Sequence, residues 1–250
     1  MPFENEHIER AVSELAIAGT LRVGINLGNS LLVTGTAPSG EPQGVAPDMA
    51  AAIAASLGVG VSYVTYPTPG EVADAGARDE WDIGLIAAEP KRAEKITFSN
   101  PYVEIEATYL LPAGSPFQSF EDVDQPGVRI AVMNRAAYDL YLTRTLKHAE
   151  LVRSTPAIGA NELFVTEKLD ALAGLVPGLT KTAVEIPGSR VMPGCYTAVQ
   201  QAIGAKPSCT NLQDLLQAFI ADAKASGFVA ELIDRHGVTG RLQVAPDSGK

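Results

Sequence analysis

The sequence predicts an α/β fold with parallel or mixed sheets, and three observations support this prediction. Short apolar runs of strand length alternate with segments whose apolar residues recur at helical spacing. One run, residues 83–88, is apolar on all sides, as expected of a strand that helices cover on both faces. Glycine and proline punctuate the segments. A chain of 250 residues is long enough for a sizeable core and for one or two domains.

Local sequence patterns predict the elements that precede the central strand, residues 83–88. They are a helix over 8–18, a strand over 21–26, a loop over 27–40, a helix over 44–58, a strand over 59–66 and a helix over 69–78. Gly19 and Gly58 are expected to end the first two helices, because glycine adopts the left-handed C-cap conformation readily. Asp48 is expected to cap the second helix.

The segments after the central strand continue the alternation. They are strands over 105–111 and 128–133, a helix over 138–147, a strand from 151, a helix over 160–168, strands over 169–173 and 196–203, and a last helix over 228–236. A further helix before the last is expected to begin with a capping box, Thr210 with Gln213, and to end at Gly227.

The overall charge limits the possible partners. Lys and Arg total 19 and Asp and Glu total 29, which gives a formal net charge of −10. An acidic surface disfavours binding to nucleic acid and to anionic membranes. No segment approaches the roughly 18 apolar residues that span a bilayer, so no membrane insertion is predicted.

The two cysteines and the first seven residues limit which cofactor chemistry and which cellular compartment the sequence predicts. Cys195 and Cys209 are too few for a disulfide framework and do not form a CxxC pair, so no cofactor and no metal site is predicted. Residues 1–7 are acidic and no apolar core follows them, unlike a secretory signal. The sequence as written therefore predicts a cytoplasmic protein, and a periplasmic one if a signal was trimmed.

The segment 81–102 carries a resemblance to a known family. Glu89 and Arg92 follow the apolar strand directly, at the edge where α/β folds bind ligands. The segment resembles the signature of the type 2 periplasmic solute-binding proteins of the amino-acid type (family 3) at Asp82, Pro90, Arg92, Phe98, Ser99, Pro101 and Tyr102. The resemblance covers roughly residues 12–237.

The resemblance implies a two-lobed type 2 periplasmic-binding-protein fold. Lobe 1 is then discontinuous, comprising residues 1–111 and 195–250, and lobe 2 comprises 112–194. The resemblance also implies a ligand cleft between the lobes and a hinge that closes on binding. The periodicity of the sequence does not by itself predict two lobes.

The same resemblance implies a carboxylate-binding role for Arg92, whose guanidinium fork matches two carboxylate oxygens. The alternative is a surface arginine near Glu94. Glu89 departs from the family, which usually has Thr or Ser there. Its carboxylate accepts hydrogen bonds and donates none unless it is protonated. Glu89 is therefore a candidate to bind a cationic ligand group, to orient Arg92 or to donate a proton; the alternative is a structural partner of Arg92 or Lys91.

Asn134 and Arg135 fall where the family has a Gly-Thr pair that opens a helix and holds the ligand carboxylate. The helix N-terminus favours an anion, and a second arginine suits a ligand with more than one anionic group, or a phosphate. The alternative is that Arg135 points to solvent. Leu175 falls where amino-acid binders carry the Asp that pairs with the ligand ammonium. The sequence therefore favours a carboxylate-bearing metabolite over a standard amino acid.

Three polar residues follow the first strand and face the same predicted crevice: Asn26, Asn29 and Ser30. They are candidate ligand contacts, and the alternative is ordinary Asx-turn chemistry.

These observations predict a solute-binding protein that closes over a small anionic metabolite and, when exported, delivers it to the permease of an ABC transporter. No catalytic residue is assigned under this hypothesis. The alternatives are a cyclohexadienyl dehydratase-like lyase on the same fold, with Glu89 as general acid, and a cytoplasmic ligand sensor. The ligand and the oligomeric state stay open.

Overall fold

A computed structural model describes residues 5–247 of the chain, and it has the predicted α/β class. The chain folds into two compact units. Unit 1 takes the chain up to Glu104 and again from Gln200, and unit 2 is the continuous segment 105–199. The chain therefore passes into unit 2 once and returns once. The lobe boundaries drawn from the sequence stay a prediction.

The strands have the following bounds. Before the first crossing they are β1 (Thr20–Asn26), β2 (Gly35–Thr36), β3 (Pro42–Gln43), β4 (Gly60–Tyr66), β5 (Ile83–Ala87) and β6 (Thr97–Phe98). Strand β7 (Val103–Leu111) leads into unit 2, where the chain forms β8 (Arg129–Val132), β9 (Glu150–Arg153), β10 (Ala171–Leu175) and β11 (Arg190–Val191). The chain returns along β12 (Thr197–Ala205), and a short strand follows as β13 (Gln243–Val244).

The helices of unit 1 are α1 (Asn5–Ser13), α2 (Val45–Leu57), α3 (Pro69–Ala77) and α4 (Pro90–Ala93). Unit 2 adds α5 (Phe120–Val123), α6 (Ala137–Thr145), α7 (Ala160–Thr166) and α8 (Val176–Glu185). Back in unit 1, the returning chain forms α9 (Thr210–Ala225) and α10 (Phe228–Arg235) before β13. Helix α8 was not predicted, because its start, Val176-Pro177-Gly178, has the composition of a turn.

Unit 1 is organised around the parallel strands β4, β1 and β5, with β12 antiparallel to β5. Every residue of β5 is buried, which confirms the sequence prediction for this strand. Trp81, just before β5, is fully buried and donates its indole N–H to the carbonyl of Val72 at 2.9 Å. A Cβ on Gly24 or Gly76 would lie 2.7 or 2.4 Å from the indole, so these glycines make room for it.

Unit 2 is organised around the parallel strands β9, β8 and β10, with β7 antiparallel to β10. Alternate residues of its strands enter two separate hydrophobic clusters. Ile130 and Val132 of β8 belong to one cluster and Ala131 to the other. This is the period of two expected of a strand that is covered on both faces.

Matching aspartates hold the amino ends of the strands in both units. Asp82 accepts the backbone N–H of Arg22 at 2.8 Å, and Asp170 accepts that of Arg129 at 2.8 Å. Each aspartate directly precedes the strand that leads to the predicted site edge of its unit, β5 or β10. Asp82 of the family-like segment and Asp170 therefore both have a structural function at the edge opposite to that site.

The predicted extent of the first helix is wrong, and so is the predicted capping box of α9. Helix α1 ends at Ser13, and Gly19 (φ 73°) lies in the turn before β1. Glu14 directly follows the helix, and its carboxylate accepts the amides of Asn211 (3.2 Å) and Leu212 (2.9 Å) at the N-terminus of α9. The N-cap position of α9 is Cys209.

The predicted cap of α2 is also wrong. The helix begins at Val45, three residues before Asp48, after Gly44 with φ 146°. A Cβ on Gly44 would lie 2.3 Å from the carbonyl oxygen of Leu32, so the close approach requires glycine. Asp48 instead contacts His236 at 2.8 Å. Gly58 (φ 69°) ends the helix as predicted.

Candidate functional site

Unit 1 brings five predicted residues to one edge of its sheet. Strands β1 and β5 are parallel and end at the same edge. Asn26 is the last residue of β1, and Asn29 and Ser30 lie in the loop that follows; the turn and helix α4 after β5 carry Glu89 and Arg92. Their common position follows from the parallel pairing, since such strands have their carboxyl ends side by side.

Arg92 lies against the end of β5. Its side chain is buried, at 5% exposure, and Nη1 donates to the carbonyl oxygen of Ala87 at 2.8 Å. Glu94, the alternative surface partner, pairs with Lys91 at 2.7 Å instead. The surface interpretation of Arg92 is therefore wrong, and its contact with a ligand stays a prediction.

Glu89 has a clear local function. It is the N-cap residue of α4, and its carboxylate accepts the backbone N–H of Lys91 at 3.4 Å. The residue is 6% exposed. A carboxylate at the start of a helix is favoured because the first amides need acceptors. Capping is a function that Thr or Ser would also serve, so it does not explain the departure from the family, and a ligand-binding role for Glu89 stays a prediction.

The two asparagines form Asx turns. Asn26 Oδ1 accepts the N–H of Gly28 at 3.0 Å, and Asn29 Oδ1 accepts that of Leu31 at 3.1 Å. Asn29 is buried and Ser30 is exposed. The structural alternative stated for the asparagines is therefore observed, and their ligand contacts remain predictions along with that of Ser30.

Unit 2 presents a second edge of the same kind. Strands β8, β9 and β10 end at Val132, Arg153 and Leu175. Asn134 and Arg135 lie in the loop between β8 and α6, and both are exposed. Each backbone N–H has an acceptor: that of Asn134 bonds Ser154 Oγ at 3.1 Å, and that of Arg135 bonds Asp139 Oδ2 at 2.7 Å.

The loop before α6 has a specific conformation. Arg135 has φ 60°, in the left-handed region where glycine is preferred. The next amide, that of Ala136, donates to the carbonyl of Met133 at 3.2 Å. The amides of Arg135 and Ala136 are therefore already occupied within the chain, and the contact of Arg135 with an anion stays a prediction.

Leu175 occupies the end of β10 and is the N-cap residue of α8. Its side chain has no polar atom and cannot accept a hydrogen bond from an ammonium group. Pro177 follows at the start of the helix, which fixes the position of Leu175 in the strand-to-helix turn.

Sequence reasoning missed two charged residues near this edge. Arg153 is the register partner of Val132 at the end of β9, and its guanidinium bonds Asp139 at 2.9 Å. Glu106 is exposed on β7, next to Ala107, which pairs with Leu175. The available signal for Arg153 was its position directly after the apolar pair 151–152. Glu106 lies inside β7 and not at the end of a predicted strand, so no comparable signal in the sequence marked it.

Residues 5–247 show neither a clustered set of metal-ligating side chains nor a membrane-spanning helix. These residues contain no group of three or more His, Cys, Asp or Glu side chains arranged to hold a metal ion. Within the same range, none of the helices is long and apolar enough to cross a membrane.

Residues 21–239 match the sequence profile of the bacterial extracellular solute-binding proteins, family 3. A mutant of ArgBP from T. maritima is 20% identical, with 90% of this chain and 98% of that chain covered and a TM-score of 0.72. A lysine-complexed binding component of an ABC transporter from Wolinella succinogenes DSM 1740 is 21% identical, with coverages of 88% and 96% and a TM-score of 0.71. These structures confirm the predicted periplasmic-binding-protein fold.

A third solved structure is an ancestral amino-acid-binding protein described as a precursor of cyclohexadienyl dehydratase. It is 24% identical, with 87% of this chain and 94% of that chain covered and a TM-score of 0.70. No curated protein sequence matches the chain.

Proposed function

Because this chain belongs to family 3 of the bacterial extracellular solute-binding proteins, we propose that it binds a small carboxylate-bearing anion for uptake by an ABC-type transporter. Arg92 binds a carboxylate of the ligand, and Arg135 contacts a second anionic group. Asn26, Asn29, Ser30, Asn134 and Glu89 are the secondary contacts of this proposal.

The observation that carries the proposal is the contrast between the ends of β5 and β10. The segment after β5 carries the buried guanidinium of Arg92, while β10 ends in Leu175. An ammonium group loses its hydration on binding and needs an acceptor in return. The side chain at the end of β10 supplies none, which favours a ligand without an α-ammonium group.

The ligands named for two solved relatives share the carboxylate group with the proposed ligand. One is named as complexed with lysine, and another structure of ArgBP from T. maritima is described as arginine-bound. Both amino acids carry a carboxylate of the kind that a guanidinium fork recognises. The proposed ligand differs from them in lacking the ammonium group and in carrying a second anionic group.

Matched ligand pairs test the proposal. Purified protein is heated with amino acids and with the 2-keto and 2-hydroxy acids of the same side chains, together with dicarboxylates and phosphorylated acids. A ligand at 100 times its Kd stabilises the native state by about 2.7 kcal/mol, so a hit raises the Tm by roughly 5–10 °C. We expect hits among the acids without an ammonium group. Hits confined to amino acids would overturn the proposal.

A gain-of-function variant sharpens the test. Leu175→Asp restores an acceptor at the end of β10 and is expected to improve amino-acid binding about tenfold or more. Val184→Asp is the matched control, because it adds the same charge to the exposed end of α8. If the wild-type protein binds amino acids and Glu106→Gln abolishes that binding, Glu106 is the ammonium acceptor and the argument from Leu175 is wrong.

Mass spectrometry of each hit mixture separates binding from catalysis. A binding protein returns its ligand intact. A ligand that is consumed would instead support the lyase alternative, for which Glu89 is the candidate general acid, and Glu89→Gln should then abolish turnover while keeping a side-chain oxygen to cap α4.

A further inference from the structure

The loop between β8 and α6 is held by a buried carboxylate. Asp139, the third residue of α6, is 1% exposed. Its Oδ2 accepts the backbone N–H of Arg135 at 2.7 Å, across one turn of the chain. This bond holds Arg135 in its left-handed backbone conformation, which is unfavourable for a residue with a side chain.

A buried carboxylate needs a positive partner, and Arg153 is that partner. Its Nε lies 2.9 Å from Asp139 Oδ1 and 3.2 Å from Oδ2, and its Nη2 donates to Thr143 Oγ1 at 2.8 Å. Thr143 lies one turn further along α6 and also donates to the carbonyl oxygen of Asp139 at 2.7 Å. The guanidinium is thus fixed by two neighbours on α6.

The position of Arg153 makes this arrangement relevant to binding. It ends β9 as the register partner of Val132, at the carboxyl edge of the unit 2 sheet. The following residue, Ser154, accepts the N–H of Asn134. The last residue of β9 and the residue after it therefore both hold the Asn134–Arg135 loop, Ser154 through its hydroxyl and Arg153 through Asp139.

We propose that Arg153 is a positioning residue for ligand selectivity: by neutralising Asp139 it keeps the Arg135 backbone in the conformation that directs its side chain to a second anionic group of the ligand. This inference rests on the proposed function for the ligand, and the holding of the loop is measurable without one. The pairing supports it, because the buried carboxylate that holds the loop is balanced by Arg153 at 2.9 Å.

The first experiment uses the unliganded protein. Hydrogen exchange of the peptide covering residues 133–139 is compared in wild type, Arg153→Gln, Arg153→Lys and Arg129→Gln. Arg129 is the matched control, because it forms a salt bridge with Glu167 at 2.7 Å, is similarly exposed and lies at the opposite end of β8. We expect about tenfold faster exchange in Arg153→Gln, a smaller change in Arg153→Lys, and none in Arg129→Gln. Unchanged exchange in Arg153→Gln would overturn the inference.

The second experiment measures the affinity of a dicarboxylate and of the monocarboxylate with the same chain length. Arg153→Gln and Arg135→Gln are each expected to weaken the dicarboxylate about tenfold and to leave the monocarboxylate within about twofold. The double variant is expected to lose little more than either single one, because both changes remove the same interaction. Arg153→Lys should recover part of the loss.

The outcomes separate this inference from the proposed function. Equal weakening of both ligands, or additive losses in the double variant, would make Arg153 a merely structural residue and overturn the inference. A wild-type protein that binds monocarboxylates and dicarboxylates equally would also overturn it. That result would remove the second anionic group from the proposed function and leave only its carboxylate contact with Arg92. Failure to bind any carboxylate would reject the proposed function, and with it the selectivity role, even if the exchange result shows that Arg153 holds the loop.

Discussion

Two arginines of unit 1 lie at opposite edges of the same parallel strands. Arg22, near the start of β1, is paired with Asp82 at 2.8 Å, and this hydrogen bond raises its pKa above the ordinary value. Arg92 follows the end of β5 and bonds a backbone carbonyl. Since α/β folds bind ligands at the carboxyl edge of their strands, Arg22 has the structural role and Arg92 is the candidate for binding.

Arg92→Ala is expected to abolish the ligand-induced rise in Tm of roughly 5–10 °C. It should also lower the Tm of the unliganded protein by a few degrees, because the Ala87 carbonyl loses its buried donor. Lys91→Ala is the control, since Lys91 is an exposed neighbour on the same helix. Thermal unfolding with and without ligand measures both effects. Ligand stabilisation that survives Arg92→Ala would show that the site lies elsewhere.

Asp124 gives a pH prediction in unit 2. Its carboxylate accepts the consecutive amides of Lys147, His148 and Ala149 at 2.8–3.1 Å. Burial raises its pKa, but these amides together lower it below the ordinary value. A lowered folded-state pKa contributes stability that is present above the unfolded-state pKa of about 3.9 and is lost as the pH falls through the folded-state pKa.

The variant Asp124→Asn removes this titration. We expect it to lower the Tm by about 2–4 °C at pH 7, as for a loss of about 1 kcal/mol, and we expect the difference from wild type to shrink as the pH falls below about 4. Glu121→Gln, an exposed change on α5, is the control and should leave the pH profile unchanged. A difference from wild type that stays constant down to a pH of about 2.5 would contradict the assignment.

Among the helices, α9 is capped by a side chain from a distant part of the chain, that of Glu14. Glu14 directly follows α1, and its carboxylate accepts Asn211 Nδ2 at 2.6 Å in addition to two amides of α9. A carboxylate at a helix N-terminus satisfies unpaired amides and is favoured by the helix dipole. The residue that directly follows α1 therefore serves as the side-chain cap of α9.

Glu14→Ala is expected to destabilise the protein by about 1–2 kcal/mol, or roughly 2–8 °C in Tm. Thr210→Ala should have little effect, because Thr210 is an exposed residue inside the helix and not its cap. Glu9→Ala, an exposed change on α1, controls for the loss of charge. Urea unfolding measures the three variants. A larger effect of Thr210→Ala than of Glu14→Ala would restore the capping box.

At the scale of the whole molecule, the two units differ in how they use the chain. Unit 2 takes its strands from one continuous segment and has its own hydrophobic clusters. Unit 1 needs the returning chain, since β12 pairs with β5 along Gln201–Ala205 and α9 carries the amides that Glu14 caps. The core of unit 1 therefore cannot be completed by its first segment alone.

This difference predicts the behaviour of fragments. A fragment of residues 105–199 is expected to unfold cooperatively on heating, with a near-ultraviolet circular dichroism signal from its packed tyrosines, among them Tyr109 and Tyr196 with ring centroids 4.7 Å apart. A fragment of residues 1–104 is expected to stay unfolded. Trp81, the only tryptophan of the chain, should then emit as a solvent-exposed indole. A folded 1–104 fragment would show that the returning segment is dispensable.

Features that depend on neighbouring residues could be predicted from the sequence. The apolar run of β5, the glycine that ends α2 and the position of Arg92 after a buried strand follow from local pattern and backbone chemistry. The family-like segment around Arg92 also identified the fold, because its turn residues and strand stand close together in the chain.

Features that depend on residues far apart in the chain became visible only in the folded protein. The cap of α9 comes from Glu14, 198 residues from Leu212. The left-handed conformation of Arg135 depends on Asp139, whose buried charge depends in turn on Arg153 in the next strand. A carboxylate can satisfy any amide that folding brings within about 3 Å, and sequence periodicity carries no information on which amide that is.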